Sequence, residues 1–511
     1  MLAWQRWGTA AVLGLAAVAL TVVASWTWWS VVDDAYISAR YAAVWAHGQG
    51  LAYSPDTPAV EGYTNLLFTL CLGVALKLGL PVLGTLVGLG FLGALATLVT
   101  MTAATRALSG RDGPETAFPA LAWALLPHTA VVATNGLETT MMTAAVCATV
   151  AAWASDTASD RARGTFSAVL VLVRPEGVAV VAALAAGHLL TAPRRTLRAL
   201  AGPIVTFLGL EAWRWTTYGA WMPNTWAAKA SFPITDTFTR NANYFGPETA
   251  SLSVLGVVGA VAVIVGPHDV RRGGATLGWL LLAALPLTVE EWMPGLRLFQ
   301  PAWAVGLALA GAGLLHRSWG RVSITLLPAA TLGLAVWVGA QVRAYDAHHT
   351  VAPGNGAEVA ARHLARRLPP GAWVATRDAG NFAFWVGPDV NVAELHHRAL
   401  TLPHPDGADL DVLATTPEAP EVLVTTVRTA SDRKLLYPGD RQVFARLQQP
   451  YAYLGRVEQH HRRHYDIYVR EDVGMPPLPA EVVVGFPGPS PAGGNRGNLD
   501  ARPESPAEES P

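Results

Sequence analysis

The sequence predicts a mainly α-helical, polytopic transmembrane protein with a soluble α/β domain at its C-terminal end. Three observations carry that expectation. Hydrophobic residues make up 51% of the 511 positions and charged ones only 14%, against about 25% charge in soluble domains. The stretch Trp7–Val32 has no charged residue, which exceeds the roughly 20 apolar residues that cross a bilayer. After Arg343 the long apolar runs cease and short strand and helix patterns take over.

Taken in order, Trp7–Val32 reads as an uncleaved signal anchor, because it is too long for a signal-peptide core and no small-residue cleavage site follows it. Further apolar segments lie near 65–79, 81–104, 117–134, 139–154, 165–191, 197–215, 249–266, 275–289, 297–315 and 322–342, so about 9–11 spans are expected over 1–345. In 346–475, "GAEVAARHLARRL" has the spacing of an amphipathic helix, and "AWVATRDAG", "EVLVTTV" and "HYDIYVR" read as short strands. From 476 to 511 the chain is rich in Pro, Gly, Ser and Glu without periodicity, the composition of a disordered tail. A net charge of −1 implies no nucleic-acid partner, and Cys71 and Cys147 both sit in apolar segments with no metal-ligand spacing. With 33 arginines against three lysines and abundant Ala, Gly and Pro, the composition is that of a GC-rich bacterial genome.

Basic residues in short loops set the orientation. Placing Arg6, "RRTLR" (194–198), Arg271–Arg272 and "HRSWGR" (316–321) in the cytoplasm puts 31–64, 216–248, 290–296 and the soluble domain outside. This describes a bacterial inner-membrane protein with a cytoplasmic N-terminus and a periplasmic C-terminal domain. The middle admits two arrangements. If every segment spans, Arg106, Arg111, Arg161 and Arg163 fall outside; if 65–79 and 165–191 are half-inserted hairpins, those arginines move inside and "NGLET" (135–139) moves outside. The second satisfies the charge rule better.

The polar residues at the outer edges are the candidates for function. Asp33 and Asp34 open the external loop 31–64. One aspartate suffices as N-cap for a helix "AYISARYAAVWAHG" ending at Gly48; a second carboxylate beside apolar phase is costly and has the chemistry of a general base. Asp33 and Arg40 are seven apart and share a helix face. "YGAWMPNTWAAKA" (218–230) carries Lys229, which also reads as a snorkelling lysine in an interfacial aromatic belt. "EEWMPGLRLFQP" (290–301) carries Arg297, and its charges also read as ordinary helix ends. Glu138 in "NGLET" and Arg174 and Glu176 in "VRPEG" are ionisable groups within or beside apolar segments, which are functional candidates by default, although the last two can simply neutralise each other.

The motifs "DDAYISARYA…GQGLAYSP…VEGYTN", "NGLET", "RPEG", "PNTWAAK" and "EWMPGLRLFQP" follow one another in an order that resembles a bacterial branch of GT-C glycosyltransferases, similar to the terminal arabinofuranosyltransferases of mycobacterial cell walls. The resemblance covers about residues 10–345 and extends more faintly to "DAGNFAFWVG". It implies a polyprenyl-phosphate-linked sugar donor, an inverting transfer of a pentose such as arabinofuranose or of a hexose, and a catalytic aspartate in the first external loop, here Asp33 or Asp34. The favoured one is Asp33, nearest the end of the span. A glycan or glycolipid acceptor, the membrane lipid, and substrate contacts from the motif residues Glu61, Tyr63, Asn65, Glu138, Arg174, Glu176, Asn224, Glu291 and Trp292 follow from it. Two departures, Glu290–Glu291 where relatives tend to have Gly-Asp and "NVAELHHRAL" after "DAGNFAFWVG", bear on which sugar is carried.

The chemistry fits such a boundary. A carboxylate there takes the acceptor's hydroxyl proton. The leaving phosphate needs cations rather than a general acid, and Arg297, Lys229 and Arg40 are the candidates. No cofactor is expected and a divalent metal is not required. The rival is a transporter or flippase of lipid-linked sugars, disfavoured by the absence of an inverted repeat. A non-catalytic scaffold is a third reading, set against the intact "DDAYIS".

Overall fold

A computed structural model describes residues 2–28, 31–225, 270–288, 295–316, 324–333, 350–376, 379–394, 420–430, 433–436, 451–460 and 463–478, with a few isolated positions between them. It is mainly helical, with a small sheet at the C-terminal end. Of the expected tail 476–511 all but 476–478, together with Lys229, Glu290, Glu291 and Trp292, lies outside the described residues.

Helix α1 (Leu2–Ala24) is followed by the two-residue strand β1 (Val31–Val32), α2 (Asp33–Ala46) and the rest of the first loop. Then come α3 (Leu66–Lys77), α4 (Val82–Ser109), α5 (Phe118–Ala124), α6 (Pro127–Thr134), α7 (Thr139–Ala154), α8 (Asp160–Val173), α9 (Gly177–Leu189), α10 (Pro193–Tyr218), α11 (Val270–Ala284) and α12 (Gln300–Leu315), with α13 at Ile324–Gly333. Among the described residues three helices are long and apolar enough to cross a membrane: Arg6–Ala24, Val82–Ser109 and Arg297–Leu315. The segment 117–134 is instead a pair bent by 74°, broken before Pro127, where proline forces the preceding residue out of helical geometry. Segment 65–79 becomes a 12-residue helix, about 18 Å long at 1.5 Å per residue and short of the ~30 Å apolar slab. Segment 165–191 divides at Arg174, whose extended backbone (φ −156°, ψ 142°) is imposed by Pro175.

Arg106 and the "NGLET" turn lie at opposite ends of the helical body. Arg106 donates to Thr9 Oγ1 (2.8 Å), at the N-terminal end of α1, whereas the "NGLET" turn packs against the other end: the Val32 N–H donates to Asn135 O (3.0 Å). Close packing of α4 on α7 carries that turn into place. A Cβ at Gly90 would lie 2.6 Å from Ala133 O and one at Gly93 2.6 Å from Thr140 Oγ1, and Thr140 Oγ1 donates to Gly90 O (2.6 Å). Small residues allowing such approach are the usual means of helix contact in lipid.

The C-terminal part contains β2 (Thr350–Val351), α14 (Gly356–Ala365), β3 (Trp373–Thr376), α15 (Asn381–Trp385), β4 (Asn391–Glu394), β5 (Val422–Ala430), β6 (Arg433–Leu436), β7 (Tyr451–His460) and β8 (Arg463–Arg470). The sheet order is β4-β3-β5-β8-β7, with β6 on β5; β3 runs parallel to β4 and β5, and the remaining pairs are antiparallel. Asn355 Oδ1 caps α14 by accepting from the Glu358 N–H (3.1 Å).

This domain shares its core with the segment 31–64. Tyr41, Tyr53 and Tyr63 are buried among Ala357, Leu364, Phe382 and Val392, and β1 pairs with β2 antiparallel, Val31 opposite Val351 and Val32 opposite Thr350. Loop 31–64 and the sheet domain therefore lie on one side of the helical body.

Candidate active site

The aspartate pair occupies the first turn of α2, not its cap. The N-cap is Val32, which makes no side-chain cap bond. The expected Asp cap is corrected here, because Asp33 is used for a tertiary contact: its Oδ1 accepts the Asn381 N–H (2.8 Å) at the start of α15. Gly380 makes that approach possible, since any Cβ there would run into the Asp33 carboxylate and backbone carbonyl. Gly380→Ala is expected to lower stability by on the order of 1–3 kcal/mol and to speed limited proteolysis of the sheet domain, both measurable in detergent.

Arg40 lies on the same face as Asp33, as the seven-residue spacing requires, and it also meets the sheet domain. Its Nε donates to Tyr53 O (2.8 Å), Nη1 to Ala383 O (2.5 Å) and Gly387 O (3.0 Å), and Nη2 to Val390 O (2.5 Å). The side chain is 1% exposed. Its assignment to a donor phosphate is therefore corrected: a buried guanidinium needs its donors satisfied, and carbonyls of the loop and of the α15 region do so. Arg40 clamps α2 to the sheet domain.

Asp34 follows Asp33 in the first turn of α2. One turn on, at i+4 and hence on the same stripe of α2, Ser38 Oγ donates to Asn65 Oδ1 (3.2 Å). Thr69 Oγ1 donates to the same oxygen (3.0 Å), and Asn65 Nδ2 donates to Glu138 Oε2 (2.7 Å). The other Glu138 oxygen pairs with Arg174 Nη1. Arg174 also holds Glu176 with two donors, Nη2 to Oε1 (2.6 Å) and Nε to Oε2 (3.1 Å). Arg297 acts electrostatically on Glu138 and is itself buried.

Each member is placed by its local backbone. Gly136 (φ +81°) turns "NGLET" against α2, where a Cβ would lie 2.9 Å from Val31 Cγ1; Glu138 then heads α7. Gly295 (φ +83°) seats the turn before Arg297 on α6, its Cβ position 2.8 Å from Val132 Cγ1. The next residue, Leu296, is left-handed without being glycine (φ +46°) and is buried. Such strain persists only where packing over-determines it and clusters at functional sites. Here it aims Arg297 at the cluster.

A second group lies further along the loop. Glu61 Oε2 accepts from Arg214 Nε (2.8 Å), and Arg214 Nη1 also binds Glu211 Oε1 (2.6 Å). Burial pushes the Glu61 carboxyl up to about 7, against the pull of Arg214. Tyr63 and Tyr218 hydroxyls are 3.0 Å apart, and the Asn224 N–H donates to Glu61 O (2.9 Å).

The structure thus brings together Asn65, Glu138, Arg174, Glu176 and Arg297 from four of the quoted motifs, with Glu61, Tyr63 and Asn224 as a neighbouring group; Asp34 lies one helical turn before Ser38, which bonds Asn65. It turns Asp33 and Arg40 toward the sheet domain. Sequence reasoning missed Ser38, Thr69, Glu211, Arg214 and Asn381. Charges near the end of the apolar segment 197–215 were a usable signal for Glu211 and Arg214; the rest are polar residues of ordinary type with none.

No family model and no curated protein matches the chain. Among solved structures it is similar to ArnT from Cupriavidus metallidurans bound to undecaprenyl phosphate, at 14% identity and TM-score 0.56, over 90% of this chain and 98% of that one. It is also similar to the apo state of the same protein, at 14% identity and TM-score 0.55, over 92% and 99%. The fold, mainly helical with a small sheet domain at the C-terminal end, is accordingly similar to that of ArnT.

Proposed function

We propose that the protein is a membrane glycosyltransferase that moves a sugar from a polyprenyl-phosphate carrier to a cell-envelope glycan or glycolipid. The carrying observation is the buried Asn65–Glu138–Arg174 network with Arg297, joined through Ser38 to the helix that begins at Asp33–Asp34. The ArnT structure containing undecaprenyl phosphate supports a donor of that chemical class.

In this reading the acceptor hydroxyl oxygen attacks the anomeric carbon while its proton passes to the Asp34 carboxylate. The new C–O bond forms as the anomeric bond to phosphate breaks, and the electron pair leaves with polyprenyl phosphate, inverting the anomeric centre. Arg297 neutralises charge growing on the phosphate; Arg174, itself held by Glu176, and Asn65 fix the Glu138 carboxylate in place. Asp34 is preferred to Asp33 because Asp33 is committed to the Asn381 N–H of the sheet domain. Lys229 remains a candidate second cation, with Glu291 and Trp292 as candidate sugar contacts.

The test is direct. Purified protein given a polyprenyl-phosphate sugar and an envelope glycan is expected to release free polyprenyl phosphate and a longer glycan. Movement of intact donor across a vesicle without release would favour the flippase. The proposed setting is the bacterial inner membrane, with loop 31–64 and the sheet domain periplasmic, the orientation that puts Arg6 and Arg106 at the cytoplasmic end as the positive-inside rule requires. A fluorescent reporter that matures only in the cytoplasm, fused after Pro511, should stay dark. A bright reporter overturns this orientation.

A further inference from the structure

Helices α8 and α10 both begin at the end of the helical body away from segment 31–64. Their other ends fix this: Arg174, which closes α8, pairs with Glu138, and Tyr218, the last residue of α10, bonds Tyr63. At their beginnings the two lie backbone to backbone, since a Cβ at Gly164 would stand 2.8 Å from Ala199 O and one at Gly202 3.0 Å from Gly164 O. Arg161, Arg163, Arg194, Arg195 and Arg198 are concentrated here, against Asp156 and Asp160. A helix N-terminus is the positive end of its dipole and favours carboxylates, yet the first turn of α10 has no acidic residue and no side-chain cap. Helix formation does not call for cations at this place. Membrane topology calls for positive charge on one side, but not for any particular arrangement of it.

The arrangement is specific. Arg163 is buried and occupied within the fold: its Nε donates to Ala152 O (3.2 Å), Nη2 to Ser155 O (2.8 Å) and Nη1 to Asp160 Oδ1 (3.3 Å). The two other partners of Asp160 are not occupied in this way. Arg195 Nε lies 3.4 Å from Asp160 Oδ1 and Arg198 Nε 3.3 Å from Oδ2, while their side chains stay 54% and 69% exposed. Both contacts use Nε, and among the described residues the Nη groups of Arg195 and Arg198 make no hydrogen bond. One carboxylate thus holds two exposed guanidiniums beside each other and neutralises only part of their charge.

We propose that the start of α8 and α10 binds an anionic phospholipid, with the lipid phosphate on Arg195 and Arg198 and an acyl chain along the exposed face of α10. The planar guanidinium matches phosphate oxygens with two donors at once, and basic pockets between helices at a membrane edge take acidic head groups. The surface beyond the arginines fits the rest of the molecule. Val205 is seven residues after Arg198 and so shares its face, with Leu208 one turn further; Leu197 and Ile204 form the adjoining stripe. All four are at least half exposed. From Arg198 to Leu208 the helix rises about 15 Å at ~1.5 Å per residue, the depth of one leaflet, half of the ~30 Å apolar slab. Charge and apolar surface therefore follow one another along α10 in the order and at the spacing of a lipid's head and tail.

This site rests on the membrane reading of the fold and not on sugar transfer, so its test contains no sugar and its failure leaves the transferase reading untouched. In the proposed orientation the lipid belongs to the cytoplasmic leaflet, on the side opposite the Glu138 cluster.

Native mass spectrometry of the full chain released from detergent tests the proposal, with phosphatidylglycerol and phosphatidylcholine of the same acyl chains as probes. Wild type is expected to bind phosphatidylglycerol about tenfold or more tightly than phosphatidylcholine, the effect of two basic side chains at an anionic head group. Arg195→Gln/Arg198→Gln should bring that ratio to within about threefold, and Arg198→Gln alone, at the more exposed position, should lower it by about fivefold. The charge-matched control Arg366→Gln/Arg367→Gln, at exposed positions just after α14, should keep the wild-type ratio. Arg195→Lys/Arg198→Lys preserves charge and membrane orientation but not the paired donors, and should lose part of the preference. A wild-type ratio in both glutamine variants, an equal loss in the control, or full preference in the lysine variant overturns the site; the last outcome reduces the arginines to topology signals. Inorganic phosphate is the third probe. If it displaces phosphatidylglycerol where chloride of equal ionic strength does not, the arginines hold a free anion and the lipid assignment falls.

Discussion

Asp34→Asn is expected to reduce sugar transfer by about 10²–10⁴, the usual loss with a general base, while leaving the melting temperature close to that of wild type. The isosteric amide keeps the size and polarity of the side chain and removes only the capacity to take a proton. Asp33 should behave differently. Asp33→Asn keeps an oxygen for the Asn381 N–H and is expected to retain most activity. Asp33→Ala leaves that N–H without its acceptor and is expected to cost about 1–3 kcal/mol of stability, seen as a lower melting temperature and earlier proteolysis of the sheet domain. Steady-state turnover and thermal melts on the three variants decide the matter. A dead, stable Asp33→Asn beside a nearly normal Asp34→Asn would exchange the two roles.

Arg297→Ala is expected to raise the KM for the donor by about 10–100-fold, the size of a lost charge-assisted hydrogen bond in a desolvated site, with the acceptor's KM nearly unchanged. The left-handed Leu296 and the Gly295 turn fix this guanidinium against the Glu138 cluster, so reach as well as charge matters. Arg297→Lys should recover only part of the loss, because an ammonium cannot grip phosphate with two donors at once. Varying donor and acceptor separately checks this. A fall in acceptor affinity instead would move Arg297 into the glycan site.

The sequence by itself determined the class of the fold and the identity of most of the cluster. Apolar runs separated by basic turns announce helices in a bilayer, since burial of apolar surface is read residue by residue. The helix at 356–365 and the strands at 373–376, 422–430 and 463–470 are legible for the same reason: their periodicity is local. Glu138, Arg174 and Glu176 stood out because a charge beside apolar residues is expensive wherever the chain later puts it. The tertiary structure decided the rest. Whether Asp33 or Asp34 faces the cluster depends on which stripe of α2 the sheet domain covers, and that domain is more than 300 residues further along the chain. Whether Arg40 meets phosphate or carbonyl depends on the loop at 383–390 closing over it. Which apolar segments stand as full-length helices and which break depends on Pro127, on Pro175 and on the close approach of α4 to α7. A local pattern reports the environment a residue needs; the partner that supplies it comes from distant chain, and only packing brings the two together.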